Sequence, residues 1–138
     1  FDRAMKTILH LLLSFALTSF GLAADKARER QTDDIREAVF RWQFDHNGSG
    51  QQTNAQVYFL EIGEQGDPTD AFMNRFAEHR PSVRKVSACG ASVSGACDKK
   101  TGERGLVFRV TNMEWKSDAG VDVTGGYYEA GLSGSGST

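Results

Sequence analysis

The chain has 138 residues, 39% apolar and 25% charged, with a formal net charge of −2. That length fits one domain rather than two, and the mild acidity excludes a general nucleic-acid binder, which needs a basic footprint. The one basic cluster, His79, Arg80, Arg84 and Lys85, reads as a solvated face.

Phe1 to Ala4 precede Met5 and read as translated sequence upstream of the start. Lys6 then gives a positive opening, Ile8 to Leu22 is a mostly apolar run, and Gly21-Leu22-Ala23 places small residues where a signal peptidase reads. This is the three-part pattern of a secretory signal. A membrane span needs about 20 apolar residues; this run is shorter, and His10, Ser14, Thr18 and Ser19 interrupt it. No cysteine near the cut invites a lipid anchor. The expectation is therefore an exported protein, periplasmic or extracellular, with residues 1–23 as upstream residues and cleavable signal and 24–138 as a single α+β domain. No stable membrane anchor is expected after cleavage. The removed part holds Asp2, Arg3 and Lys6, a net of +1, so the 115 remaining residues carry −3.

Asp25 to Gln31 reads as a charged lead-in. Thr32 is a good N-cap, with Asp33 and Asp34 favourable in a first turn. Ile35, Ala38, Val39 and Trp42 then recur on one helical face up to about Phe44. Val57 to Ile62 is nearly all apolar and fits a strand covered on both faces. Asp67-Pro68 suits the start of a second helix, with Phe72, Met73, Phe76 and Ala77 as its buried stripe and Pro81 as its stop. Val83 to Cys89 reads as a short strand and Asp98 to Gly105 as a polar turn. Leu106 to Trp115 reads as a long strand, with Leu106, Phe108 and Val110 on one face and Val107, Arg109, Thr111, Met113 and Trp115 on the other. Ser117 to Gly120 is a hairpin signal, and Val121 to Ala130 returns, with Gly125-Gly126 marking a bulge or sharp bend. The last residues, Leu132 to Thr138, stop without a cap or charged tail, which predicts further strands after Thr138.

Cys89 and Cys97 bracket a short Gly- and Ser-containing stretch. Two cysteines in an exported chain most simply pair. A disulfide closing a loop of this size stabilises by about 2–3 kcal/mol in the chain-entropy model. Zinc would want closer pairs or neighbouring histidines. A catalytic thiol would want a histidine partner, and His46 and His79 are distant in sequence.

The element order is helix, strand, helix, strand and an antiparallel meander: an α+β domain with two helices packed on a curved, mainly antiparallel sheet. With its long late hairpin and the Gly125-Gly126 bend, the stretch from Thr32 onward resembles the nuclear transport factor 2-like and cystatin-like folds. The resemblance implies a curved sheet wrapping a helix, with a cone that Trp42, Tyr58, Arg109, Met113, Trp115 and Tyr127 would line. The cystatin inhibitors carry a Gln-x-Val-x-Gly hairpin, and this chain does not. The stretch Glu61 to Arg84, with Asp67-Pro68 and His79-Arg80-Pro81, is also similar to small exported bacterial proteins of unknown function.

Aromatics with a few polar groups suit a small-ligand pocket, and equally a packed core. Arg109 on an apolar strand face needs an anionic partner, from Glu61, Glu129 or a bound anion. One of Tyr127 and Tyr128 belongs to the core and the other to the surface. His79 reads as a helix C-terminal cap or, functionally, as a base at a pocket mouth. Asp45, Asn47 and Ser49 match the first half of a calcium loop, but Gln56 stands where the bidentate Glu is needed and a strand follows. Asn47-Gly48-Ser49 fits the glycosylation pattern, which matters only in a eukaryotic secretory route. No phosphate loop, nucleophile elbow, zinc-protease motif or Cys-x-x-Cys occurs. No catalytic residue, metal or cofactor is assigned. The leading expectation is a non-enzymatic domain binding a small ligand or an envelope protein. The alternatives are a cone-pocket enzyme of isomerase or dehydratase type and, last, a protease-inhibitor-like module.

Overall fold

The computed structural model describes the backbone of residues 2–48, 52–64, 66–92, 95–130 and 133–137, and side chains within 21–48, 53–64, 66–92 and 95–129. Two compact units divide the chain, Phe1–Ile35 and Arg36–Thr138. Helix α1, Asp2–His46, supplies the first and the start of the second. The helix does not begin at Thr32. Its hydroxyl donates to the Arg28 carbonyl at 2.9 Å, a bond made inside a helix rather than at its start. The stretch Ala23 to Gln31 is rich in Ala, Lys, Arg, Glu and Gln, all good helix formers, so helix continues through what read as a lead-in. Among the described residues, no helix is long and apolar enough to cross a membrane.

In the second unit, β1 (Val57–Ile62) lies between β2 (Ser82–Lys85) and β5 (Gly105–Ser117), parallel to both. Strand β6 (Gly120–Ala130) runs antiparallel to β5, and β7 (Ser133–Ser137) antiparallel to β6, giving the order β2-β1-β5-β6-β7. A second, two-stranded sheet pairs β3 (Cys89–Ser92) with β4 (Gly95–Asp98). Helix α2, Asp70–Met73, continues as a 3-10 turn, Asn74–Phe76. The class is α+β, as the element order implied; the sheet is open and mixed, because β1 runs parallel to both of its neighbours.

Alternation sends β1 side chains to two cores. Tyr58, Leu60 and Ile62 meet Leu106, Phe108 and Val110, covered by Phe40 and Phe44 of α1 and by Phe72 and Phe76 around α2. On the other face Val57, Phe59 and Val107 lie under Ala96, Cys89, Val86 and Ala88. Both helical segments thus sit on one side of the sheet and the small hairpin on the other. Glu37 of α1 ties the helical layer together, accepting from Arg75 and from Arg41, each at 2.9 Å.

Three expected details change. Asp67 does not cap α2; Thr69 does, accepting from the Phe72 N–H at 3.2 Å, while Asp67 accepts from the Ser87 N–H at 2.9 Å. The expected strand Val83–Cys89 is split by a 3-10 turn, Val86–Ala88, and resumes as β3 in the other sheet. Lastly, β5 does not keep one alternation throughout. Its pairing steps from Val110↔Gly125 to Asn112↔Thr124, which makes Thr111 the extra residue of a bulge. The bulge flips the following residues, so Met113 joins the helix-side core with Val123 instead of sharing a face with Val107 and Arg109.

Gly125 explains where the bulge sits. A Cβ there would lie 2.4 Å from the Arg109 carbonyl oxygen and 2.8 Å from Gln43 Nε2. Gln43, buried on α1, donates its amide to that same carbonyl at 3.1 Å. Helix α1 is therefore bonded to the sheet beside the bulge, through a gap that only glycine leaves. The irregularity expected at Gly125-Gly126 falls on the partner strand, as the bulge at Thr111 beside Gly125.

The expected Cys89–Cys97 disulfide is not formed: both cysteines are free thiols. Cys89 pairs across the hairpin with Asp98, and Cys97 with Gly90. One residue of offset turns the two side chains to opposite faces.

Candidate functional site

The polar centre of the sheet lies on the hairpin side. Glu61 is the only charge in β1 and is 2% exposed. The parallel register sets it opposite Arg109 of β5. On β6, the residue facing Arg109 is Gly126, which has no side chain, and Tyr128 lies two positions on, opposite Val107. Tyr128 leans across that gap and donates its hydroxyl to Glu61 Oε2 at 2.9 Å. The Arg109 guanidinium lies 4.2 Å from the centre of the Tyr128 ring, with Nη2 3.5 Å from Glu61 Oε2. The Arg109 side chain is 37% exposed, so solvent reaches the cluster through it. Burial pushes the Tyr128 phenol above its ordinary value, and the bond to the Glu61 carboxylate adds to this; Arg109 opposes it.

A carboxylate buried among Val, Phe and Leu must be paired, and Tyr128 and Arg109 do this. Of the partners weighed for Arg109, Glu61 is the one found; Glu129 instead takes Arg104 at 2.8 Å. Neither tyrosine of the Tyr127-Tyr128 pair is fully exposed. Tyr127 packs near Phe108 on the helix side, and Tyr128 on the other side.

The six residues expected to line one cone do not share a surface. Tyr58, 4% exposed, is core, with its ring 5.0 Å from Phe44 and 4.8 Å from Phe108. Met113 and Tyr127 pack against the same core. Trp115 lies beyond the bulge, opposite Val121. Arg109 is on the other face of the sheet. Trp42 points away from the core, 51% exposed, and stacks on His46 with ring centres 4.6 Å apart and planes 8° from parallel. It falls outside the stripe because the fully buried positions of α1 are Phe40, Gln43 and Phe44, continued by Asn47 just past the helix end. The buried stripe is centred one residue later than Ile35, Ala38, Val39 and Trp42.

His79 is neither a bare cap nor paired with a nucleophile. Its ring stands 4.8 Å from Phe44 and 5.7 Å from Tyr58, and Nδ1 bonds the Pro81 carbonyl at 2.8 Å. In the basic cluster, Arg84 is bound to Asp98 at 2.6 Å and to Glu103 at 2.9 Å, and Lys85 to Asp70 at 2.6 Å. Asp98 also accepts the Lys100 and Thr101 N–H groups at 2.8 and 2.9 Å. Arg84 foremost, then these amides, hold its carboxyl well below the usual range. In the calcium-like loop, Ser49 and Gly50 lie outside the described residues, and no group of three metal-ligating side chains occurs among those described. The Asn47 amide is turned inward, 3.2 Å from the Phe44 carbonyl, and closes the helix end instead of presenting a glycosylation nitrogen.

No family model matches this chain. No curated protein and no solved structure matches it at a significant level. The functional reading therefore rests on the residues themselves.

Proposed function

We propose that this chain is an exported, non-enzymatic binding domain whose target is a protein of the cell envelope rather than a small ligand. The observation that carries this reading is the dispersal of the six candidate residues over separate surfaces, with Trp42 left outward on α1. Tyr58, Met113 and Tyr127 serve the core, and Arg109 is engaged with Glu61 and Tyr128. The exposed Trp42–His46 stack is a rigid aromatic surface of the kind that anchors protein contacts. The leader pattern from Met5 to Ala24 supports export.

Native mass spectrometry of the protein, gently isolated from its own host, tests this. The reading expects a complex with a second polypeptide that Trp42→Ala abolishes. A bare monomer, or a monomer retaining a small molecule, contradicts it. One observation favours a second reading, the pocket enzyme: Arg109 does converge with Glu61, beside a tyrosine with a raised pKa. A retained small molecule that Arg109→Ala removes would move the assignment there.

A further inference from the structure

The β3–β4 hairpin brings two thiols to one oxygen. Cys89 Sγ lies 3.5 Å and Cys97 Sγ 3.8 Å from the Gly90 carbonyl oxygen. The two thiols are not bonded, and their attachments face opposite ways. Cys89 is turned inward onto the cluster of Val57, Phe59, Ala96 and Val107. Cys97 is across from Gly90 on the outer face, where the Lys99 side chain covers that glycine. Two cysteines with this relation can be bridged only if the backbone moves. Bridging must then either turn Cys89 outward or bring Cys97 inward, and each displaces part of the cover over Phe59.

We propose that Cys89 and Cys97 are a reversible redox switch: exchange with an external disulfide bridges them, shifts the β3–β4 hairpin from its present register and loosens it from the core beneath. In the first step Cys97, the outward thiol, gives up its proton and attacks one sulfur of the external disulfide. That bond breaks, one thiolate leaves, and a mixed disulfide remains on Cys97. In the second step the deprotonated Cys89 attacks the Cys97 sulfur and expels the second thiolate. One S–S bond is lost by the oxidant and one is gained by the chain. Two electrons pass to the oxidant, and the two protons given up by Cys97 and Cys89 end on the two thiols it releases. Burial pushes the Cys89 thiol up, which disfavours it as the first nucleophile. The hairpin is short, four residues in each strand, and a unit that small can open without the main sheet.

The test uses the whole chain, reduced with dithiothreitol and then equilibrated across ratios of oxidised to reduced glutathione. Alkylation with peptide mass spectrometry reads the thiols, and amide hydrogen exchange reads the hairpin. The switch predicts a reversible loss of two hydrogens that maps to Cys89 and Cys97, with about tenfold faster exchange in β3 and β4. Cys89→Ser should trap a glutathione adduct on Cys97, and Cys97→Ser should leave Cys89 unmodified at the same ratio. Four results on the unaltered chain would overturn the proposal: thiols alkylatable at every ratio, an adduct that never resolves, a bridge with unchanged hairpin exchange, or a bridge that dithiothreitol does not reopen.

Discussion

Glu61 sets the chemistry of its surroundings because it is a carboxylate in a strand otherwise made of Val, Tyr, Phe, Leu and Ile. Tyr128 and Arg109 are there to hold it. Tyr128→Phe removes a hydrogen bond to a charged acceptor and should cost about 1.5–3 kcal/mol, read as a lower denaturant midpoint with an unchanged slope. The loss should depend on pH. The folded-state value of Tyr128 is raised, so its contribution is complete below the ordinary phenol value near 10 and fades as pH rises through the folded value. The gap between the parent and Tyr128→Phe should therefore narrow above about pH 10; a gap that widens there would refute the assignment. Asp98 has the opposite sign. Arg84 and two backbone amides lower its value, so its contribution is present above the ordinary carboxylate value near 4 and is lost as pH falls toward the folded one. Asp98→Asn should flatten the acid limb of the stability curve below about pH 4 and leave the neutral region's slope unchanged.

At the scale of elements, the joint between α1 and the sheet is the Gln43 amide on the bulged strand at Gly125. Gly125→Ala forces a Cβ into the Arg109 carbonyl and the Gln43 amide and should destabilise by about 1–3 kcal/mol. Gly48→Ala, where a Cβ meets nothing within 4 Å, should stay within about 0.5 kcal/mol. Thermal or urea unfolding of the two variants separates them. Periodicity made most elements legible: β1 as a doubly buried strand, the Phe72/Phe76 stripe and the long hairpin. It did not show that Thr111 is a bulge, because an inserted residue has no composition signal, yet it moves Met113 across the sheet. Nor did it show that α1 continues through Thr32, where a good capping residue sits among good helix formers. The hairpin offset of Cys89 against Cys97 was equally hidden, since spacing in sequence says nothing of register. Within the site, Arg109 is readable as a charge on an apolar strand face that needs an anionic partner, with Glu61 among the candidates. Tyr128 is not, because only the gap at Gly126 lets it lean onto that carboxylate.

At the scale of the whole molecule, the second unit is held by aromatic packing between the helical layer and the sheet. Phe44 is central, with Tyr58, Phe76, His79 and Phe108 all within 5.8 Å between ring centres. Phe44→Ala should cost about 3–5 kcal/mol, a large share of the roughly 5–15 kcal/mol by which a domain is ordinarily stable. The inner aromatics are thus committed to stability, and among the described residues Trp42 is the large aromatic that stays exposed, which the proposal assigns to a partner. The most direct test of that claim is a photo-crosslinking amino acid in place of Trp42, irradiated in living cells of the source organism, with the same group at exposed Glu114 as control. The account predicts one defined adduct with an envelope protein from position 42 and none from position 114. No adduct at position 42, or the same adducts from both positions, would contradict it.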